Sequence, residues 1–128
     1  MNVLIIDDDA EDTELFCLAL KEAAPDINCL VMHNPKTGLS SLENGQEIPQ
    51  YIFLDGHMHL VDGKDCLLKL RAMQSLRDTK IIIYSGHLSE KQIQEYKALG
   101  ADRYIHKPSS FENLRILLAT MFGERKAS

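Results

Sequence analysis

The chain has 128 residues, with 19 acidic against 14 basic residues for a formal charge of −5, and is 45% hydrophobic and 26% charged. That length fits one domain with its own core, and the composition excludes extensive disorder. The acidic balance argues against nucleic acid as a direct partner.

Taken in order, residues 3–6 (Val-Leu-Ile-Ile) form a short apolar run of the kind buried on both faces of a parallel sheet. Three aspartates, Asp7, Asp8 and Asp9, follow at once, so neither a signal peptide nor a membrane span is read here and a cytoplasmic location is expected. Glu11 and Asp12 suit the first turn of a helix, where negative charge meets the positive end of the dipole. Leu15, Phe16, Ala19, Leu20 and Ala23 continue at helical spacing until Pro25.

Residues 27–33 are a second strand, broken by polar residues as an edge strand would be. A short helix over 35–42 and a polar loop over 43–47 lead to Pro49. Tyr51-Ile52-Phe53-Leu54 is a third strand that stops abruptly at Asp55. After the turn pair Asp62-Gly63, Leu67, Leu68, Leu70 and Met73 give a helix fading over 75–77. Residues 81–84 are a fourth strand ending at Ser85-Gly86. Ser89 and Gln92 match a capping box for a helix that stops at Gly100. Residues 103–106 form a fifth strand ending at Lys107-Pro108, and Ser109 with Glu112 is expected to cap the last helix, which ends at Gly123.

Strand and helix thus alternate five times. The expected fold is α/β: a five-stranded parallel sheet in the order 2-1-3-4-5, flavodoxin-like, with five helices on its two faces. Residues 1–124 form the domain and 125–128 a short tail, with no output domain expected. Cys17, Cys29 and Cys66 are odd in number and lack Cys-x-x-Cys spacing, so inert thiols packed as small hydrophobes are expected, with no disulfide and no zinc site.

In such a sheet the ligand crevice lies beyond the carboxyl ends of the strands, at the switch point between strands 1 and 3. Those two strands end in aspartate. Asp7, Asp8, Asp9 and Asp55 would converge there, with Ser85 and Lys107 arriving from strands 4 and 5. Clustered carboxylates call for a hard divalent ion, Mg²⁺ foremost. A lysine and a hydroxyl beside them suit a transferred phosphoryl group, and a carboxylate can be its nucleophile.

Asp7-Asp8, the run from Asp55 to Gly63, Ser85-Gly86 and Lys107-Pro108, each at its own strand end, together resemble the receiver domain of response regulators over nearly the whole chain. The resemblance implies a stand-alone switch rather than a dedicated enzyme. Asp55 would accept a phosphoryl group from a sensor histidine kinase or a histidine phosphotransfer protein. Asp8, Asp7 partly through water, Asp55 and the backbone carbonyl of His57 would hold Mg²⁺, with Mn²⁺ as the alternative ion. Ser85 and Lys107 would bind phosphoryl oxygens. Tyr104 matches an aromatic that changes rotamer on activation, and helix 4, strand 5 and helix 5 would present the signal to a protein target. His57 and His87, each two residues beyond a site residue, would flank the attacking water and tune dephosphorylation. The chain departs from the family at His59, where proline is usual, and at Ser109, where an aromatic is frequent.

Plainer assignments exist for each piece. Asp7 to Asp9 could be a helix cap with solvated charge, Asp55 a turn residue beside Gly56, Ser85 a strand-end turn, Lys107 a surface lysine, and Tyr104 an edge aromatic with its hydroxyl in water. His57, His59, His87 and His106 also invite a transition-metal site, although no helical His-x-x-x-His spacing supports one. Two other functions compete with the phosphorylated switch. One is a pseudo-receiver that binds a partner without phosphorylation. The other is a metal-dependent aspartyl phosphohydrolase of the haloacid dehalogenase type, for which Asp7 would be the nucleophile.

Overall fold

The computed structural model describes residues 1–43, 47–59 and 61–123. Most of the expected 43–47 loop, Leu60 and the tail from residue 124 lie outside the described residues.

One parallel sheet runs in the order β2-β1-β3-β4-β5, built from β1 (Asn2–Ile6), β2 (Asn28–Met32), β3 (Tyr51–Leu54), β4 (Lys80–Ser85) and β5 (Arg103–His106). Four helical segments connect the strands, α1 (Ala10–Ala23), α2 in two single turns (Pro35–Gly38 and Ser40–Glu43), α3 (Gly63–Ala72) and α4 (Glu90–Ala98), and α5 (Phe111–Phe122) follows β5.

The period-two alternation of a strand divides the core. Leu4, Ile6, Ile52, Leu54, Ile81 and Ile83 face α2, α3 and α4, meeting Leu42, Leu67, Leu70 and Tyr96. Val3, Ile5, Phe53, Ile82, Tyr84 and Ile105 face α1 and α5, meeting Phe16, Leu20, Leu118 and Phe122. Both faces of the central strands are therefore buried, which is why their sequences are apolar without a break. At the edge, β2 has no fully buried residue, only exposed and half-buried ones, and its sequence is correspondingly mixed.

Two glycines are required by close approach or backbone shape. A Cβ at Gly63 would lie 2.3 Å from the Tyr96 hydroxyl oxygen. Gly100, just after α4, has φ +113°, a region that side chains disfavour and that commonly ends helices.

The structure corrects three local expectations. The α5 cap is Ser110, whose hydroxyl accepts the Asn113 N–H at 3.1 Å, in place of Ser109 with Glu112. Starting one residue later puts Phe111 at the first helical position, packed against the α1–α5 side of the core, while Glu112 pairs with Arg115. The helix expected over 35–42 is two separate turns, the first of which packs closely on the Met32 side chain at Gly38. Finally, Cys17 of α1 and Cys29 of β2 form a disulfide with Cα atoms 5.7 Å apart. They are partners because α1 returns the chain antiparallel to β2, a proximity that a sequence separation of 12 does not advertise. Cys66 alone behaves as expected, fully buried, with burial pushing its thiol up to about 11.

Candidate functional site

The sheet register puts the two aspartate-ending strands level. Ile6 pairs with Leu54, so Asp7 and Asp55 emerge side by side from the next position. Backbone bonds extend the ladder into the site. The Asp55 N–H donates to the Ile6 carbonyl at 3.0 Å, and the Lys107 N–H to the Ser85 carbonyl at 2.7 Å. The strand ends therefore position Asp7, Asp55, Ser85 and Lys107.

These side chains frame a cleft of about 510 Å³ lined by Asp8, Asp55, His57, His59, Lys107 and neighbours. Asp55 is 6% exposed, and its Oδ1 accepts the Ser85 hydroxyl at 3.1 Å and the His57 N–H at 3.0 Å. Its Oδ2 is 3.8 Å from the Lys107 ammonium. Asp7 lies beneath the cleft, fully buried, accepting the Asp9 N–H at 2.9 Å and the Lys107 ammonium at 2.9 Å. Burial, opposed by those two bonds and reinforced by the charge of Asp55, pushes the Asp7 carboxyl up to about 6. Although burial pulls the Lys107 ammonium down, its bonds to Asp12 and Asp7 outweigh that and hold it above the ordinary lysine range.

Oxygen atoms of Asp7, Asp8 and Asp55 lie within 4.8 Å of one another. Such an all-carboxylate set fits a hard divalent ion of the Mg²⁺ or Mn²⁺ kind rather than zinc. Among the described residues no histidine joins a metal-binding group, so the transition-metal assignment has no geometric support.

The three consecutive aspartates divide their tasks. Asp9 is the α1 cap, accepting the Glu11 and Asp12 N–H groups, so the plain assignment holds for it, while Asp7 and Asp8 belong to the carboxylate cluster. The Tyr104 hydroxyl does not stand free in water. It donates to the Gly86 carbonyl at 2.7 Å, tying β5 to the loop after Ser85. His57 lines the cleft with its Nε2–H donating to the His87 carbonyl at 3.0 Å. His57 thus braces one wall, with His87 contributing through its main chain.

Sequence reasoning missed three contacts. Lys107 also binds Asp12 at 2.7 Å, a residue that helix-dipole logic had already accounted for. The Tyr96 hydroxyl of α4 donates to the Gly56 carbonyl at 3.2 Å. The His59 N–H donates to Asp8 Oδ2 at 2.7 Å, a bond that proline could not make, so the departure at position 59 was itself the signal.

The model of the response regulator receiver domain matches residues 3–119. The chain belongs to this family. A curated relative, the sensor histidine kinase CheAY of Helicobacter pylori, is 30% identical over 112 residues. That match covers 88% of the present chain, which spans only 14% of the relative's length. Among solved structures, the phosphorylated cyanobacterial phytochrome response regulator RcpA superposes with a TM-score of 0.83 at 18% identity, covering 99% of this receiver domain and 94% of that chain. The Mn²⁺-bound response regulator Rcp1 gives 0.79 at 17% identity, covering 94% and 90%. At such identities the structural likenesses establish the fold of the receiver domain, and the chemistry rests on its own residues.

Proposed function

We propose that this receiver domain is a phosphorylation-dependent switch in which Asp55 is the acceptor. The observation that carries the proposal is that Asp55 lines the cleft while lying within reach of every helper group: the Ser85 hydroxyl, the Lys107 ammonium and the Asp7–Asp8 pair. An Asp55 carboxylate oxygen would form a P–O bond to the phosphorus of a phosphohistidine on a kinase or phosphotransfer protein as the P–N bond breaks. The departing imidazole keeps the bonding electrons and is protonated by solvent.

Ser85 Oγ and Lys107 Nζ would donate to the phosphoryl oxygens, where negative charge has to be stabilised. Asp7, Asp8, Asp55 and the His57 carbonyl would hold a divalent ion, with the His59 N–H fixing Asp8. When bound, Mg²⁺ neutralises phosphoryl charge and relieves the repulsion among the carboxylates. Once Ser85 turns toward the phosphoryl group, the Ser85–Gly86 loop shifts and Tyr104 loses its fixed partner, biasing α4, β5 and α5 toward a second conformer read by a protein target. The proposal places these events in the cytoplasm.

A phosphohydrolase using Asp7 is disfavoured, because that carboxylate is fully buried and already bonded to Asp9 and Lys107. A phosphorylation-independent module is disfavoured by the intact acceptor, hydroxyl, lysine and carboxylate pair. Incubation with acetyl phosphate and Mg²⁺ is expected to add one phosphoryl group by intact mass. Addition should be lost in EDTA and in Asp55→Asn. No addition to the parent would favour the phosphorylation-independent module.

A further inference from the structure

We infer that Asp12 competes with the phosphoryl group for Lys107, holding the ammonium off Asp55 and thereby setting how tightly the acceptor site takes a phosphoryl-like anion. The inference rests on the acceptor role proposed for Asp55. The lysine Nζ is 2.7 Å from Asp12 Oδ2 and 2.9 Å from Asp7 Oδ2, but 3.8 Å from Asp55 Oδ2. An ammonium has three N–H donors, so two are committed away from the acceptor and the Asp55 distance is too long for a direct hydrogen bond.

The two competing carboxylates differ in what else they can do. Asp7 belongs to the carboxylate group that fits a divalent ion, whereas Asp12 does not. A divalent ion held by Asp7, Asp8 and Asp55 would weaken the Asp7–Lys107 contact and leave Asp12 as the competitor. The main chain of Asp12 is anchored at the start of α1, where its backbone N–H donates to the Asp9 cap at 3.2 Å. One N–H remains uncommitted, but a phosphoryl group on Asp55 draws the ammonium toward itself against the pull of Asp12, whose carboxylate holds it at 2.7 Å. Asp12 is thus a positioning residue acting through Lys107, and it opposes rather than assists the bound anion.

Fluorine NMR titration of beryllofluoride, a phosphoryl mimic, at saturating Mg²⁺ separates the possibilities. The parent, Asp12→Asn and Glu11→Gln are compared, with thermal melting confirming that each is folded. Glu11 lies in the same helical turn and is exposed. Asp12→Asn is expected to bind beryllofluoride roughly three- to tenfold more tightly, the effect of removing one partly exposed charge-assisted pair. Glu11→Gln should stay close to the parent. Equal or weaker binding by Asp12→Asn while the parent binds would overturn the inference alone. An equal gain in Glu11→Gln would overturn it in favour of a general field effect. No binding by the parent would remove the acceptor role and the inference with it.

Discussion

Asp7 carries opposing demands. The Asp9 N–H and the Lys107 ammonium favour its negative charge, but full burial, with the Asp55 charge beside it, disfavours that charge and raises its carboxyl to about 6 from 3.8. With the folded value above the unfolded one, this group's contribution to stability is fully present below about 4 and is lost as pH rises through about 6. In EDTA, the urea midpoint of Asp7→Asn relative to the parent should therefore climb between pH 4 and pH 7, by the equivalent of roughly 1–3 kcal/mol. A pH-independent difference would contradict the assignment. At this scale the sequence was informative about placement, since Asp55 and Lys107 meet at the cleft where their positions after strands put them. It was silent where the partner is set by the fold: helix-dipole logic explained Asp12 without its lysine, and the departure at 59 signalled an N–H where proline has none without naming Asp8 as its acceptor.

The elements are held together by a few side chains that cross between them. At the end of the sheet opposite the cleft, the Arg71 guanidinium of α3 donates to the Gly100 carbonyl at 3.0 Å, the Thr79 carbonyl at 2.8 Å and Asp102 Oδ2 at 3.1 Å. Asp102 Oδ2 in turn accepts the Ile81 N–H at 2.8 Å, so one side chain clips α3 to the start of β4 and to the turn before β5. Arg71→Ala should cost about 2–3 kcal/mol in denaturant unfolding, the usual range for losing hydrogen bonds to a charged group. A change under about 0.5 kcal/mol would show that the clip is replaceable by water.

At the other edge, the disulfide between Cys17 and Cys29 joins α1 to β2 across a separation of 12 residues. The oxidised protein should show one free thiol in denaturant, Cys66, and three after reduction. Reduction should cost up to about 3 kcal/mol by the loop-entropy argument. Three free thiols in unreduced protein would mean an open pair, and in a reducing compartment the two stand as neighbouring thiols. Strands and long helices were legible because buried β-branched runs and helical spacing are local signals. The one-residue shift of the α5 cap and the split of α2 were not, since each is decided by what Phe111 and Met32 pack against.

For the whole molecule, the parallel order β2-β1-β3-β4-β5 brings residues 7, 55, 85 and 107 together at one cleft, and the proposed phosphoryl chemistry depends on this convergence. The same loops carry hydrogen bonds outward, from Gly56 to Tyr96 on α4 and from Gly86 to Tyr104 on β5, so chemistry at Asp55 has two direct routes to the surface expected to signal. The acceptor is identified by phosphorylating the domain with acetyl phosphate and Mg²⁺, reducing the acyl phosphate with borohydride, and locating the resulting homoserine by peptide mass spectrometry. Homoserine is expected at position 55 alone; homoserine at position 7 or 8, with residue 55 still aspartate, would contradict the acceptor role of Asp55.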